Sequence, residues 1–526
     1  MSGVNRYLAV ARSTLTGRWV GRRSASSPRL RPLDLSPFED ALRDFEDDRV
    51  ERVATLVRDA SIVQLSRLMD SVRLTSQDLT LLCLSRIRAQ DETLRSLLEL
   101  NPHALVEAAS ADERRRAGAS PSPLCGIPLT LKDNIETAPP LHTTAGSALL
   151  ADHLAEHDAP LVARLRDAGA VILGKANLSE LAGAMSSRAG ISAVGGQAMN
   201  PFGAQFSPGG SSSGSAVGVA AGLCIASIGT ETSGSLLAPA AFSGVVAMKP
   251  SRGVVPTDGI VPLVHTQDSA GPVARSVADA AAVLEIIARH PVRTDLADDA
   301  LEGVRVGVLR ADVLSQQSPF EDTSENAAVL GRVVEGLTRA GADAADVLLG
   351  LRADSLDEYE KGFVGVVLGG LCHDTLPYLA AATGARGDGV RVTTAADLLA
   401  WNLADPRRRM PSGQGVLDLA VLRGADADAY AEAALGFRDR AAALLAETFD
   451  GTRTELLVSL SNRHSSVYAT AGFPAVTVPA GMRSNGMPVG ATFIGRPGED
   501  GRLLSMAHAF ERVTRLRREP IGAGRR

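Results

Sequence analysis

Lysine is almost missing from this chain. Of its 54 Lys and Arg residues only four are lysines, Lys132, Lys175, Lys249 and Lys361. A buried Lys can give up its proton near neutrality and an Arg cannot, so each position that keeps Lys in this arginine background is a candidate for proton chemistry. Cysteine is equally sparse. Cys83, Cys125, Cys224 and Cys372 stand far apart and form no C-x-x-C pair. That argues against a disulfide framework or a zinc cage and suits a reducing, cytoplasmic setting. The chain has no uninterrupted apolar run of the roughly 20 residues that a membrane span needs. It also lacks a positive excess: a net charge of −6 disfavours a nucleic-acid surface, which wants a basic stripe.

What is present is ordinary globular material, 45% apolar and 22% charged over 526 residues, enough for one large core or several smaller ones. Residues 1–33 hold seven Arg and no acid, a bias shared by mitochondrial transit peptides and by loosely docked basic extensions. Residues 34–60 are acidic and helix-prone. Residues 1–60 are therefore read as a partly disordered or helical extension and 61–520 as the main domain, with a variable region at about 300–460. Thr75 followed by Asp78 marks a helix start, continued by Leu79, Leu82, Leu84 and Ile87. Helices are expected over 103–117, 161–168, 215–228 and 501–517. Short buried strands are expected at 126–132, 171–173, 245–248, 474–478 and 489–494. Strands alternating with helices indicate an α/β fold.

The centre of the chain is rich in serine and glycine. Ser207-Pro208-Gly209-Gly210-Ser211-Ser212-Ser213-Gly214-Ser215 is followed by Gly229-Thr230-Glu231-Thr232-Ser233-Gly234-Ser235. A flexible linker would have this composition, but tight apolar flanks on both sides place the run inside a core. Glycines permit positive φ and close backbone approach, and turns with exposed N–H groups suit a developing oxyanion. A serine ending such a turn is a plausible nucleophile if a base lies within reach. No histidine accompanies these serines; the first downstream is His265, which disfavours a Ser-His-Asp triad. Lys132, at the end of an apolar strand, is the alternative base, because desolvation lowers a lysine pKa by several units.

Three weaker patterns carry little chemistry. Gly169–Lys175 matches the start of a phosphate loop, but Ala176 replaces the metal-binding Ser/Thr and the intervening residues read as a strand. His153-Leu154-Ala155-Glu156-His157 matches an inverted zinc motif without a third ligand. Asp133 and Asp268 read as satisfied structural acids rather than a catalytic pair. No metal and no cofactor are expected.

In order along the chain, several blocks resemble those of the amidase signature family. Gly126–Asp133 is similar to G-[IV]-P-x-x-x-K-D, 143–147 to T-T-x-G-S and 174–180 to G-K-T-N-x-x-E. Gly209–Gly222 resembles the family's serine–glycine signature, 271–279 G-P-[ML]-A-R-[ST]-V-x-D and 471–479 A-G-x-P-x-[ILV]-[ST]-[VIL]-P. The blocks span roughly 62–290 and 465–518. The resemblance implies a single large α/β domain with a central mixed, twisted sheet covered by helices. It implies that Lys132 is the base, Ser211 a proton shuttle held by a cis peptide bond and Ser235 the nucleophile, 24 positions after Ser211. It places the oxyanion hole at the backbone of Thr232, Ser233, Gly234 and Ser235, with Ser212 and Ser213 in support. The implied reaction is amide hydrolysis through an acyl-serine.

Three departures bear on that reading. Leu237 stands where many members carry Arg, which hints at a neutral substrate group. Ser233 stands where Gly or Asp is common, and the segment between Leu457 and Ala471 is short. The wording of the nucleophile block and of His265-Thr266-Gln267-Asp268 is similar to the peptide-amidase branch, which removes ammonia from C-terminal peptide amides. The expected partner is a small or peptide-like amide, with neither nucleic acid nor membrane, and the protein is expected to be a monomer or homodimer. Two further readings stay open: a catalytically altered homologue acting in a complex or biosynthetic pathway, and the amidase subunit of a tRNA-dependent amidotransferase.

Overall fold

The computed structural model describes residues 29–185, 188–309, 325–350, 353–384, 390–424 and 426–520. The transit-peptide reading of the N-terminus falls mostly on residues 1–28 and so lies outside them. Eleven strands form one sheet: β1 (Leu97–Leu100), β2 (Pro128–Lys132), β3 (Val171–Ala176), β4 (Ala226–Glu231), β5 (Val246–Lys249), β6 (Ser269–Ala274), β7 (Arg305–Leu309), β8 (Asp343–Val347), β9 (Leu456–Leu460), β10 (Ala475–Met482) and β11 (Pro488–Ile494). Their spatial order is β1-β3-β2-β4-β6-β5-β10-β11-β9-β7-β8. β3, β2 and β4 run parallel, as do β9, β7 and β8, while the strands between are antiparallel. The sheet is mixed and helices cover it, the arrangement that the resemblance implies. β2, β3, β4, β5 and β6 are buried at every position, as expected of strands covered on both faces. That is why β3 and β5 read as apolar runs rather than alternating patterns.

The helix at Ser76–Leu94 starts where its cap predicts, with Thr75 Oγ1 accepting the Asp78 N–H at 2.9 Å. The helix expected over 215–228 is instead two elements. It spans Ser213–Ala220, and the chain turns at Gly222 (φ +70°) and enters β4 at Ala226. A run of small apolar residues carries no period that separates a buried helix from a buried strand, and the glycine alone marks the break. All eight residues of Ser213–Ala220 are buried. A Cβ on Gly214 would lie 2.2 Å from the Ser96 carbonyl oxygen and 2.5 Å from the Asn177 nitrogen, both backbone atoms. Gly214→Ala is therefore expected to cost about 1–3 kcal/mol of stability, read as a lowered midpoint in urea unfolding.

Phe38, Leu42, Phe45, Val53 and Val57 are buried in the same core cluster as the sheet, so the acidic stretch packs onto the main body. The helical segment Glu358–Gly384 is long and apolar enough, by length and composition, to cross a membrane. It does not stand out in the sequence because Lys361, His373 and Asp374 interrupt it. Here the segment docks on the sheet's loops: Tyr359 Oη donates to the Ser466 carbonyl (2.8 Å), Thr375 Oγ1 to the Pro262 carbonyl (2.7 Å) and Tyr378 Oη to Glu136 Oε1 (2.8 Å).

Candidate active site

Three neighbouring pieces converge at one end of the parallel strands β2 and β4: the end of β2, the turn before the helix at Ser213–Ala220, and the turn after β4. Lys132 ends β2 and is fully buried. Its Nζ donates to Ser211 Oγ at 2.7 Å, to Thr230 Oγ1 at 2.8 Å and to the Thr230 carbonyl at 3.2 Å. Burial pulls the Lys132 ammonium down to about 7, opposed by Asp268 and then Glu231. The Gly210–Ser211 peptide is cis. Ser235 is 9% exposed and Ser211 3%. Their backbones are tied by the Ser212 N–H, which donates to the Ser235 carbonyl at 3.0 Å; among the described residues no hydrogen bond joins the two hydroxyls themselves.

Ser212 and Ser213, expected to support Ser211, make separate contacts. Ser212 Oγ accepts the Thr230 N–H (3.2 Å) and donates to the Thr230 carbonyl (3.0 Å), locking the serine-rich turn to the end of β4. Ser213 Oγ donates to the Gly209 carbonyl at 2.6 Å. Gly234 sits at φ +77°, and a Cβ there would meet Asn462 Nδ2 at 2.8 Å and Ser465 Oγ at 3.0 Å. Only glycine suits both that conformation and that contact. Ser233 Oγ donates to Ser465 Oγ at 3.2 Å, so the unusual residue is absorbed by the segment after β9. Thr232 Oγ1 donates to Asp268 Oδ1 at 2.5 Å, while Asp268 Oδ2 accepts the N–H groups of Leu263 and Val264 at 2.8 and 3.0 Å. Burial pushes the Asp268 carboxyl up to about 6.

Sequence reasoning missed several neighbours. Thr230 and Asn134, whose Nδ2 donates to Thr230 Oγ1 at 3.0 Å, complete the lysine's cage, and both stand close in sequence to the catalytic candidates. Asp268, read from the sequence as a satisfied structural acid, bonds directly to the turn that ends in Ser235. Asn462 and Ser465 come from a segment more than 200 positions away, and nothing local signals them. His464 also lies there, but burial pulls its pKa down to about 3 and its Nδ1 pairs with Ser459 Oγ at 2.5 Å.

The other motifs serve the frame. Lys175 Nζ donates to the Ile135 carbonyl (2.7 Å) and to Thr137 and Thr143 Oγ1 (both 3.1 Å); it ties loops together from within β3, and no phosphate cradle forms. Asp133 accepts the Thr144 N–H at 3.1 Å and the Thr144 hydroxyl. His153 Nε2 lies 3.3 Å from Tyr378 Oη. Among the described residues no three His, Cys, Asp or Glu side chains gather as metal ligands.

A family model described as Amidase matches residues 78–364. A probable amidase of Arabidopsis thaliana is 33% identical over 495 residues, covering 88% of this chain and 92% of that protein. A glutamyl-tRNA(Gln) amidotransferase subunit of Chloroflexus aggregans is 33% identical over 483 residues, covering 84% and 93%. Among solved structures, the native peptide amidase of Stenotrophomonas maltophilia superposes with a TM-score of 0.77 at 38% identity, covering 88% of this chain and 98% of that one. By its ordered motifs, its sheet and these matches, the chain belongs to the amidase signature family.

Proposed function

We propose that this protein hydrolyses a carboxylic amide through an acyl-serine intermediate, on neutral or peptide-like substrates. The observation that carries the reading is the buried contact of Lys132 Nζ with Ser211 Oγ at 2.7 Å, made by a lysine whose burial brings its pKa to about 7. A neutral amine there accepts the Ser211 proton as Ser211 takes that of Ser235. Ser235 Oγ attacks the amide carbonyl, and the backbone N–H groups of 232–235 receive the oxyanion. The relay then returns a proton to the leaving amine, and water releases the acid.

One feature supports a neutral substrate. Leu237 is fully buried and its N–H is taken by Glu231 Oε2 at 3.1 Å, so position 237 presents no cation. The likeness to a peptide amidase supports an amide of peptide type. The similarity to glutamyl-tRNA(Gln) amidotransferases favours a second reading, glutaminase action within a complex. Ammonia release from C-terminal peptide amides by the isolated chain, with no release from glutamine, separates the two.

The relay needs Lys132 neutral. Its proton is held below about pH 7, so kcat/KM is expected to be full above that value and to fall about tenfold per pH unit beneath it. A pH–rate profile on a neutral peptide amide checks this. A flat profile from pH 5 to 8 would contradict the base assignment.

A further inference from the structure

Behind the turn that carries Ser235 lie three buried polar groups that the relay leaves unused. Glu231 ends β4 and is 1% exposed. Its Oε2 accepts the N–H groups of Leu236 and Leu237, the two residues after Ser235, at 2.8 and 3.1 Å. Its Oε1 is buried and makes no close hydrogen bond, although the Gly234 N–H also favours the carboxylate, and the hydroxyl of the fully buried Tyr468 is without a partner as well. Lys249 ends β5, is also fully buried, and donates to the Pro250 carbonyl at 2.8 Å. β4 and β5 flank β6. Gly271 of β6 lets β5 close in, since a Cβ there would sit 1.9 Å from the Met248 carbonyl oxygen. Glu231 and Lys249 thus close the same end of the sheet.

We infer that Lys249 is a positioning residue that acts through Glu231: its charge keeps Glu231 a carboxylate, and the carboxylate clamps the backbone that follows Ser235 and shapes the oxyanion turn. The inference rests on the amide-hydrolase reading. The charged groups acting on Glu231 and Lys249 are few. Lys249 supports the Glu231 carboxylate against burial, which pushes its pKa up. Lys132 and Tyr468 in turn feel Glu231. Lys249 is pulled down to about 8 by burial, opposed by Glu231 and Asp500, with Arg252 adding to the pull. A buried carboxylate without a compensating charge takes up a proton, and a neutral carboxyl accepts backbone N–H bonds more weakly. Removing the lysine therefore loosens a turn about which the chemistry is sensitive to displacements of an ångström.

The test uses a fluorophosphonate, which needs no knowledge of the substrate. Ser235 Oγ forms a bond to phosphorus, the P–F bond breaks, fluoride leaves and the relay holds the serine proton. Lys249→Met is expected to lower the limiting labelling rate about 10–100-fold, with the half-saturating probe concentration within about threefold of wild type. It is also expected to add an acid-side inflection to the pH profile as Glu231 titrates. Glu231→Gln should show a comparable loss. The double variant should be no slower than Glu231→Gln alone, within about twofold, because the two residues act as one unit. Lys249→Gln keeps a donor for Pro250 and is expected to show the same loss should Lys249→Met fail to fold. Wild-type labelling rates in the folded Lys249 variants, or losses that multiply in the double variant, would overturn the inference. Absence of any Ser235 adduct in the wild type would instead count against the hydrolase reading.

Discussion

Ser235→Ala is expected to lower amide turnover by about 10⁵-fold or more while leaving the fold intact. The substitution deletes one oxygen at a position that is 9% exposed. The tie that locates the turn, from the Ser212 N–H to the Ser235 carbonyl, is a backbone bond and survives. Loss of activity with an unchanged unfolding midpoint therefore isolates the nucleophile. Retention of more than a few per cent of wild-type turnover would remove Ser235 from that role and shift it to Ser211 or Ser233.

Lys132→Arg should also be nearly inactive, by about 10²–10⁴-fold, although it keeps the charge. Arg stays protonated under all working conditions, whereas the proposed relay uses a group that empties at about pH 7. The substitution also strains the cage, since Thr230 Oγ1 and the Thr230 carbonyl already lie 2.8 and 3.2 Å from Nζ. Lys132→Met separates the two effects. It matches the stem of Lys, removes the base and relieves a buried charge, so it should be as inactive as Lys132→Arg yet at least as stable as wild type. Steady-state assays paired with thermal unfolding on both variants check this. An active Lys132→Arg enzyme would show that Lys132 is only an electrostatic neighbour of Ser211.

Much of the fold was legible because its elements are short and strongly marked. Strands buried on both faces appear as apolar runs at 171–173, 245–248 and 489–494, and the sheet holds β3, β5 and β11 there. Thr75 announces its helix. The break between Ala220 and Ala226 was not legible, because small apolar residues serve either element and packing decides. Nor was the region 300–460 resolved into the strands β7, β8 and β9 that extend the sheet. β8, with the pattern Asp-Ala-Ala-Asp-Val, is an edge strand with little apolar signal.

At the site, local spacing brings Ser211 to Ser213 and Thr230 to Ser235 onto two turns, and family order adds Lys132. What surrounds them is tertiary. Asp268 reaches Thr232 from the start of the neighbouring strand, Ser465 and Asn462 arrive from the far end of the chain, and Lys249 looks like any strand-ending lysine until the strand order sets it and Glu231 on either side of β6. These are long-range pairings of single polar residues, for which a linear pattern carries no period.

The most direct measurement is intact mass after fluorophosphonate treatment at pH 8, with the adduct mapped by peptide digestion, on wild type and Lys132→Met. One phosphonyl group on Ser235 in the wild type, and none in Lys132→Met over the same interval, is the expected result. A folded wild type that stays unlabelled, or one that labels at a serine other than Ser235, would contradict a Lys132-activated Ser235.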